Sequence, residues 1–290
     1  MIGALLICLL ILSSCSKSTN PDHFGYNSDG WTKESKKINL SSYKGNDVDI
    51  IIPSQVRGYT VATLEGVFEG NQNILNVTVP NSVSGLSETF NGCKNLIGVK
   101  LPDSLTNIGN RSFKNCSSLS ELSLPPKLEH IGDEAFYGCK GLRTLTIPDT
   151  IKSIGDEAFA TCSNLFLKKD PSDSKWGIYI PGKVKKVGNK AFHGTPASSI
   201  WLEDGVETIG NGAFSTKRIS KVRIPDSVTS IGKFAFCYTK TIFTYGNDPS
   251  YWRFQDPVDD IKPEKVTLIV KEGSYAETYA KNEGYQVEYE

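Results

Sequence analysis

The sequence predicts a solenoid, in which one short unit is rewritten along the chain and each copy stacks on the last. Three columns of residues carry this reading. Phenylalanines stand at Phe68, Phe90, Phe113, Phe136, Phe159, Phe192, Phe214 and Phe236, separated by 22, 23, 23, 23, 33, 22 and 22 residues. Eleven residues before most of them stands a proline: Pro102, Pro125, Pro148, Pro181 and Pro225, with Pro80 one residue closer and Glu203 in the same slot of its own copy. Three residues after four of them stands a cysteine: Cys93, Cys116, Cys139 and Cys162. Three columns held in register over eight turns define a period, and a period of this length means stacked supersecondary units.

Each copy opens with an L-x-x-L-x-L pattern, as in Leu119-x-x-Leu122-x-Leu124, Leu142-x-x-Leu145-x-Ile147 and Ile219-x-x-Val222-x-Ile224. The alternation at its end predicts a short strand with one face inward. Proline then stops the strand. A second apolar pair follows, such as Ile151 and Ile154, and then Gly155-Asp156-Glu157-Ala158-Phe159. There the sequence predicts a single helical turn capped by Asp156, burying Ala158 and Phe159. In the preceding copy Gly138 falls where that turn would end. No coil can bury its apolar side alone, so the copies must stack.

The L-x-x-L-x-L strand, the I-P-D-S/T-V/I-x-x-I-G-x-x-A-F segment and the following C-x-x-L resemble the BspA-type leucine-rich repeats of bacterial surface lipoproteins, over roughly Asp47 to Gly246. The resemblance implies a curved parallel β-sheet on the concave face, with short strands, turns and single helical turns on the convex face. It also implies a strand and helix as an α+β C-terminal cap, and a role in attachment to host or matrix proteins or to other bacteria.

The N-terminus opens with an apolar run from Ile2 to Leu12. That is too short to span a bilayer and suits the core of a signal peptide, although no Lys or Arg precedes it. Leu12-Ser13-Ser14-Cys15 resembles a lipoprotein cleavage box, which implies cleavage before Cys15 and lipid on that cysteine. The expected organisation is a leader at 1–14, a tether and N-terminal cap at 15–45, the solenoid at 46–250, and a C-terminal cap at 251–290. In that last segment Val266 to Val270 and Gln286 to Tyr289 read as strands and Gly273 to Asn282 as a short helix. The long gap between Phe159 and Phe192 holds ten extra residues within 166–176, expected to leave the coil as a loop. The lipid anchor places the protein at the bacterial outer membrane, facing the cell surface or the periplasm.

Thirty-two basic and thirty-two acidic side chains give no net field for nucleic acid or an anionic membrane; membrane attachment is expected only through the lipid. Of seven cysteines, Cys8 leaves with the leader and Cys15 is lipidated, so five remain. Four lie one period apart in one column, which suggests an inward ladder of small thiols, although neighbouring rungs could pair as disulfides. His130 and His193 align with variable surface positions, and His23 lies in the tether. The Asp133-Glu134 and Asp156-Glu157 pairs read as caps and first-turn acids, not as a carboxylate dyad. No phosphate loop, serine elbow or metal-ligand spacing is present in the sequence, so no enzyme, cofactor or metal is expected.

A binding module fits best. Writing the outward positions of the L-x-L strands coil by coil gives small polar residues first. Then come Gly177 and Tyr179, Ser199 and Trp201, Lys221 and Arg223. Tyr179, Trp201 and Arg223 fall in one column, Lys221 stands beside Arg223, and the insertion ending at Trp176 enters the Tyr179 coil. These five are the expected ligand-binding residues, since Tyr, Trp and Arg are enriched at binding hot spots. A competing reading has them stack on one another, with Arg223 over the Trp201 ring. The expected partner is a protein on a host, a matrix or another bacterium; the alternatives are a glycan, or a spacer with no specific ligand.

Overall fold

A computed structural model describes residues 18–27, 35–169, 177–216, 218–237 and 263–290. The leader, Cys15, Trp31, most of the insertion and Trp176 lie outside them. Two sheets face each other across one core. Repeated L-x-L strands build the first in two parts, four strands running from Asp49–Ile51 to Glu121–Leu122 and seven from Thr144–Thr146 to Gln286–Tyr289. The second has eleven strands, most of the repeated ones only two or three residues long, such as His130–Ile131. Neighbouring copies pair parallel and in register, with Ile131 between Ile108 and Ile154 and Leu145 beside Leu167. A period of one coil therefore becomes a column of like residues.

The phenylalanine column is the axis of the core. All eight rings are fully buried and stack face to face, with centroids 5.1–5.9 Å apart. Edge-on aromatics close both ends: Phe24 meets Phe68 at 84°, and Tyr285 meets Phe236 at 83°. Both closing rings come from outside the repeats. The first lies on strand Phe24–Asn27, which pairs antiparallel with Lys37–Tyr43. The second follows helix Tyr275–Glu283, which Ser274 caps by accepting from the Glu277 N–H and which ends at left-handed Gly284. No helix among the described residues is long and apolar enough to cross a membrane.

The cysteine column is a ladder of thiols. Each Sγ donates to the carbonyl of the phenylalanine one coil back: Cys93 to Phe68, Cys116 to Phe90, Cys139 to Phe113 and Cys162 to Phe136, at 2.9–3.0 Å. Burial pushes the Cys93 and Cys162 thiols up to about 12 and raises Cys116 and Cys139 well above the ordinary thiol value. All four stay protonated, and the thiolate is the reactive form. The fifth, Cys237, lies 2.9 Å from the Tyr285 hydroxyl. Thiol labelling under native conditions at pH 8 is therefore expected to be slow. Under denaturing, non-reducing conditions the mature soluble form should count about five groups, from the five free cysteines among the described residues. A count of one would mean two disulfides between rungs.

Two local expectations change. The Gly155-to-Phe159 segment is a run of hydrogen-bonded turns, not a helical turn. The residue two before each phenylalanine is left-handed, with φ between 48° and 60° at Gly66, Glu88, Arg111, Glu134, Glu157, Lys190, Gly212 and Phe234. One such residue per coil breaks a right-handed helix. Asp156 also does not cap its own turn. Its carboxylate accepts from the backbone N–H of Asn189 in the next coil, as Asn110 does from Asp133, Asp133 from Asp156, Asn189 from Asn211 and Asn211 from Lys233, at 2.7–2.9 Å. The cap exists, but it joins coils.

The insertion also departs from expectation. Its first residues, Phe166–Lys168, do not leave the coil; they form an additional strand of the L-x-L sheet between Thr144–Thr146 and Ile178–Ile180. On the opposite sheet Ser153–Ile154 pairs directly with Lys186–Val187, and the Phe159 and Phe192 rings stack at an ordinary 5.3 Å. Only one face gains a strand. The same sheet parts between Glu121–Leu122 and Thr144–Thr146, where Leu122 and Leu124 are half-buried. The coil at that break carries Pro125-Pro126 in place of a single proline.

Candidate functional site

Four of the five predicted residues come together at the C-terminal half of the L-x-L sheet, beside the additional strand. Ile178, Ile200 and Val222 point into the core, which turns the alternate positions outward. Tyr179, Trp201 and Arg223 are direct neighbours in register on three successive strands, and Ser199 pairs with Lys221 two residues earlier. They line an open cavity of about 460 Å³ together with Lys169, Gly177, Glu203 and the edges of Leu167, Ile178, Ile200 and Ile269. Gly177 is required here, because a Cβ would sit 2.5 Å from the Ser199 carbonyl oxygen.

The five predicted residues are not equivalent. Trp201 is 48% exposed, the feature expected of a contact residue. Arg223 lies over its ring at 5.2 Å, donates to the Leu202 carbonyl and pairs with Asp204 and Glu290, leaving its side chain 14% exposed. That is the competing geometry: the guanidinium holds the indole in place. Lys221 is half exposed and pairs with Glu288 at 2.9 Å. Tyr179, expected on the surface, is only 7% exposed. Lys169 sits 5.3 Å above its ring and forms an ion pair with Glu203 at 2.6 Å. Trp176 lies outside the described residues.

Lys169 and Glu203 are the site residues that the sequence reading passed over. Lys169 belongs to the insertion. Glu203 left a signal, as the acid standing where other coils have proline. Partial burial pushes its carboxyl up, but the Lys169 ammonium, the Tyr179 hydroxyl and the Gly182 N–H outweigh that and hold it below the usual carboxylate range. Burial raises the Tyr179 phenol pKa, and the Glu203 carboxylate raises it further as a hydrogen-bond acceptor and as a charge, so Tyr179 remains a proton donor. Among the described residues no three His, Cys, Asp or Glu side chains gather in a way that could hold a metal ion. The site offers an aromatic platform, hydrogen-bonding groups and mutually paired charges.

The sequence model of the BspA type leucine rich repeat region matches the chain in six copies, over residues 37–166 and 173–245. The chain belongs to this family. The BspA-type solenoid is also similar to two solved structures. One is a T. pallidum leucine rich repeat protein, 25% identical, with a TM-score of 0.55, covering 74% of this chain and 86% of that one. The other is a leucine-rich repeat protein from Bacteroides ovatus, 23% identical, with a TM-score of 0.56, covering 92% of this chain and 66% of that one. No curated protein matches the chain. BspA-type repeats place this protein among scaffolds whose repeats generally mediate protein interactions.

Proposed function

We propose that this protein is a membrane-anchored, cell-surface binding module that grips a protein partner through the C-terminal half of its L-x-L sheet. The partner belongs to a host, a matrix or another bacterial surface, and Cys15 carries the anchor. The observation that supports this reading is Trp201, an indole half exposed yet held in one orientation by Arg223. A large side chain that is already ordered loses little entropy on binding, and Trp is foremost among hot-spot residues. The seven strands around it, at ~4.8 Å each, give roughly 30 Å of face, enough for a protein contact of standard size.

Binding to immobilised fibronectin, laminin and collagen tests the reading. Trp201→Ala should leave the unfolding midpoint in place and weaken binding by at least ~2 kcal/mol, roughly thirtyfold. Full affinity in a Trp201→Ala, Lys221→Ala double variant would clear this face of the role. Protease treatment of intact cells should remove the protein; survival would place it facing the periplasm.

A further inference from the structure

We propose that the N-terminal end of the solenoid is a membrane-seating surface, which rests on lipid headgroups and holds the L-x-L sheet upright from the bilayer. The inference rests on the part of the reading above that puts the anchor at Cys15. The segment 15–45 is long enough for a tether, yet its described residues serve as cap. The Thr19 N–H donates to the Ile51 carbonyl at 2.9 Å, and the Thr19 hydroxyl accepts from the Ile51 N–H at 3.0 Å. Ile51 belongs to Asp49–Ile51, the edge strand of the L-x-L sheet. Asn20 then caps the turn Pro21–His23, and Phe24–Asn27 is the outermost strand of the opposite sheet. Cys15 thus lies four residues from a fixed point, a reach of at most about 14 Å.

What this end displays suits a headgroup layer. A short hairpin, Gln55–Val56 with Tyr59–Glu65, lies beside Pro21–His23, where the chain comes in from Cys15. Its tip is Arg57-Gly58, both left-handed at φ 50° and 81°, as a tight two-residue hairpin turn requires. Arg57 is exposed, as are Lys36 and Lys37 at the start of the neighbouring strand. Tyr59 is 37% exposed, and its ring stacks on that of Tyr26 at 6.4 Å. Val48, just before the edge strand, is 45% exposed. The outer face of a solenoid cap is ordinarily polar, so exposed apolar groups here call for a cover. Tyrosine collects at membrane interfaces, and Arg and Lys are drawn to anionic headgroups. Of the acids at this end, Asp47 accepts from Tyr43 and Asp49 from Asn76. Seated this way, the protein keeps its binding face clear of the membrane. Ser199–Leu202 is the seventh L-x-L strand beyond Asp49–Ile51, which at ~4.8 Å per strand puts Trp201 roughly 30 Å out.

Detergent phase separation and headgroup quenching test it, with the lipidated protein in vesicles of phosphatidylethanolamine and phosphatidylglycerol. The solenoid thiols are buried, so a fluorophore goes to an added cysteine. Gln55→Cys places it on the hairpin and Ser230→Cys near the far end, both exposed positions. A nitroxide carried on the lipid headgroup should quench the label at Gln55→Cys strongly and the label at Ser230→Cys not at all. Adding Arg57→Glu with Tyr59→Ser should cut the quenching at Gln55→Cys by about half or more, with the protein still in the detergent phase. Arg57→Glu alone, which leaves the ring stack intact, should give a smaller fall. Equal quenching at the two positions, or wild-type quenching in both variants, would overturn the proposal and leave the anchor standing. Wild-type protein in the aqueous phase would instead reject the anchor at Cys15, and this inference with it.

Discussion

Phe136→Ala is expected to lower the unfolding free energy by about 3–5 kcal/mol, the range for truncating a buried aromatic ring. Its ring lies between those of Phe113 and Phe159, at 5.2 and 5.1 Å. Removing it leaves a void spanning three coils and breaks the stack at its middle. Because each coil is stable only against its neighbours, the loss should spread. Urea unfolding followed by far-UV circular dichroism should show one transition at a lower midpoint, or two where the halves separate. An unchanged single transition would exclude Phe136 from the core.

Gly155→Ala should be nearly as damaging, for an unrelated reason. A Cβ at Gly155 would sit 2.6 Å from both the Asp133 nitrogen and the Gly132 carbonyl carbon of the coil before it. Gly132 and Gly210 face the same obstacle one coil back. The blocking atoms are backbone, so no rotamer change relieves the overlap, and the coils must move apart. Overpacking of this kind typically costs about 1–3 kcal/mol, and more where relaxation is blocked. Gly85 supplies the control. There the nearest atom to an added Cβ is the Thr63 Cγ2 at 3.9 Å, so Gly85→Ala should be neutral or slightly stabilising. Equal midpoint shifts for the two variants would remove close approach between coils as the cause.

These glycines mark how far the sequence could be read. The Phe, Pro and Cys columns are visible because their identity and spacing follow from packing within the repeat, and they establish the solenoid without any structure. The I-G glycine is equally visible as a letter. Its reason is the backbone of another copy, and spacing alone cannot reveal a contact distance. Asp156 departs from expectation for the same reason: an acid before a turn suggests a local cap, whereas its acceptor role is toward Asn189, 33 residues away. At the site, the Tyr179–Trp201–Arg223 column followed directly from strand alternation. The burial of Tyr179 did not, because it depends on Lys169 and Glu203. Nor did the neutralisation of Arg223, which depends on Glu290, 67 residues later.

Two of the side-chain ladders that join the coils run one way. The side-chain acceptors at Asn110, Asp133, Asp156, Asn189 and Asn211 each wait for an N–H that comes later in the chain. The Phe68, Phe90, Phe113 and Phe136 carbonyls wait likewise for a later thiol. A chain that emerges from the ribosome N-terminus first therefore delivers each missing partner in order. Phe24 and Tyr43 seal the first ring at once, and every new turn completes the one already formed. At any moment during synthesis only the youngest turn has an open side, and the last of these is covered when Tyr285 arrives.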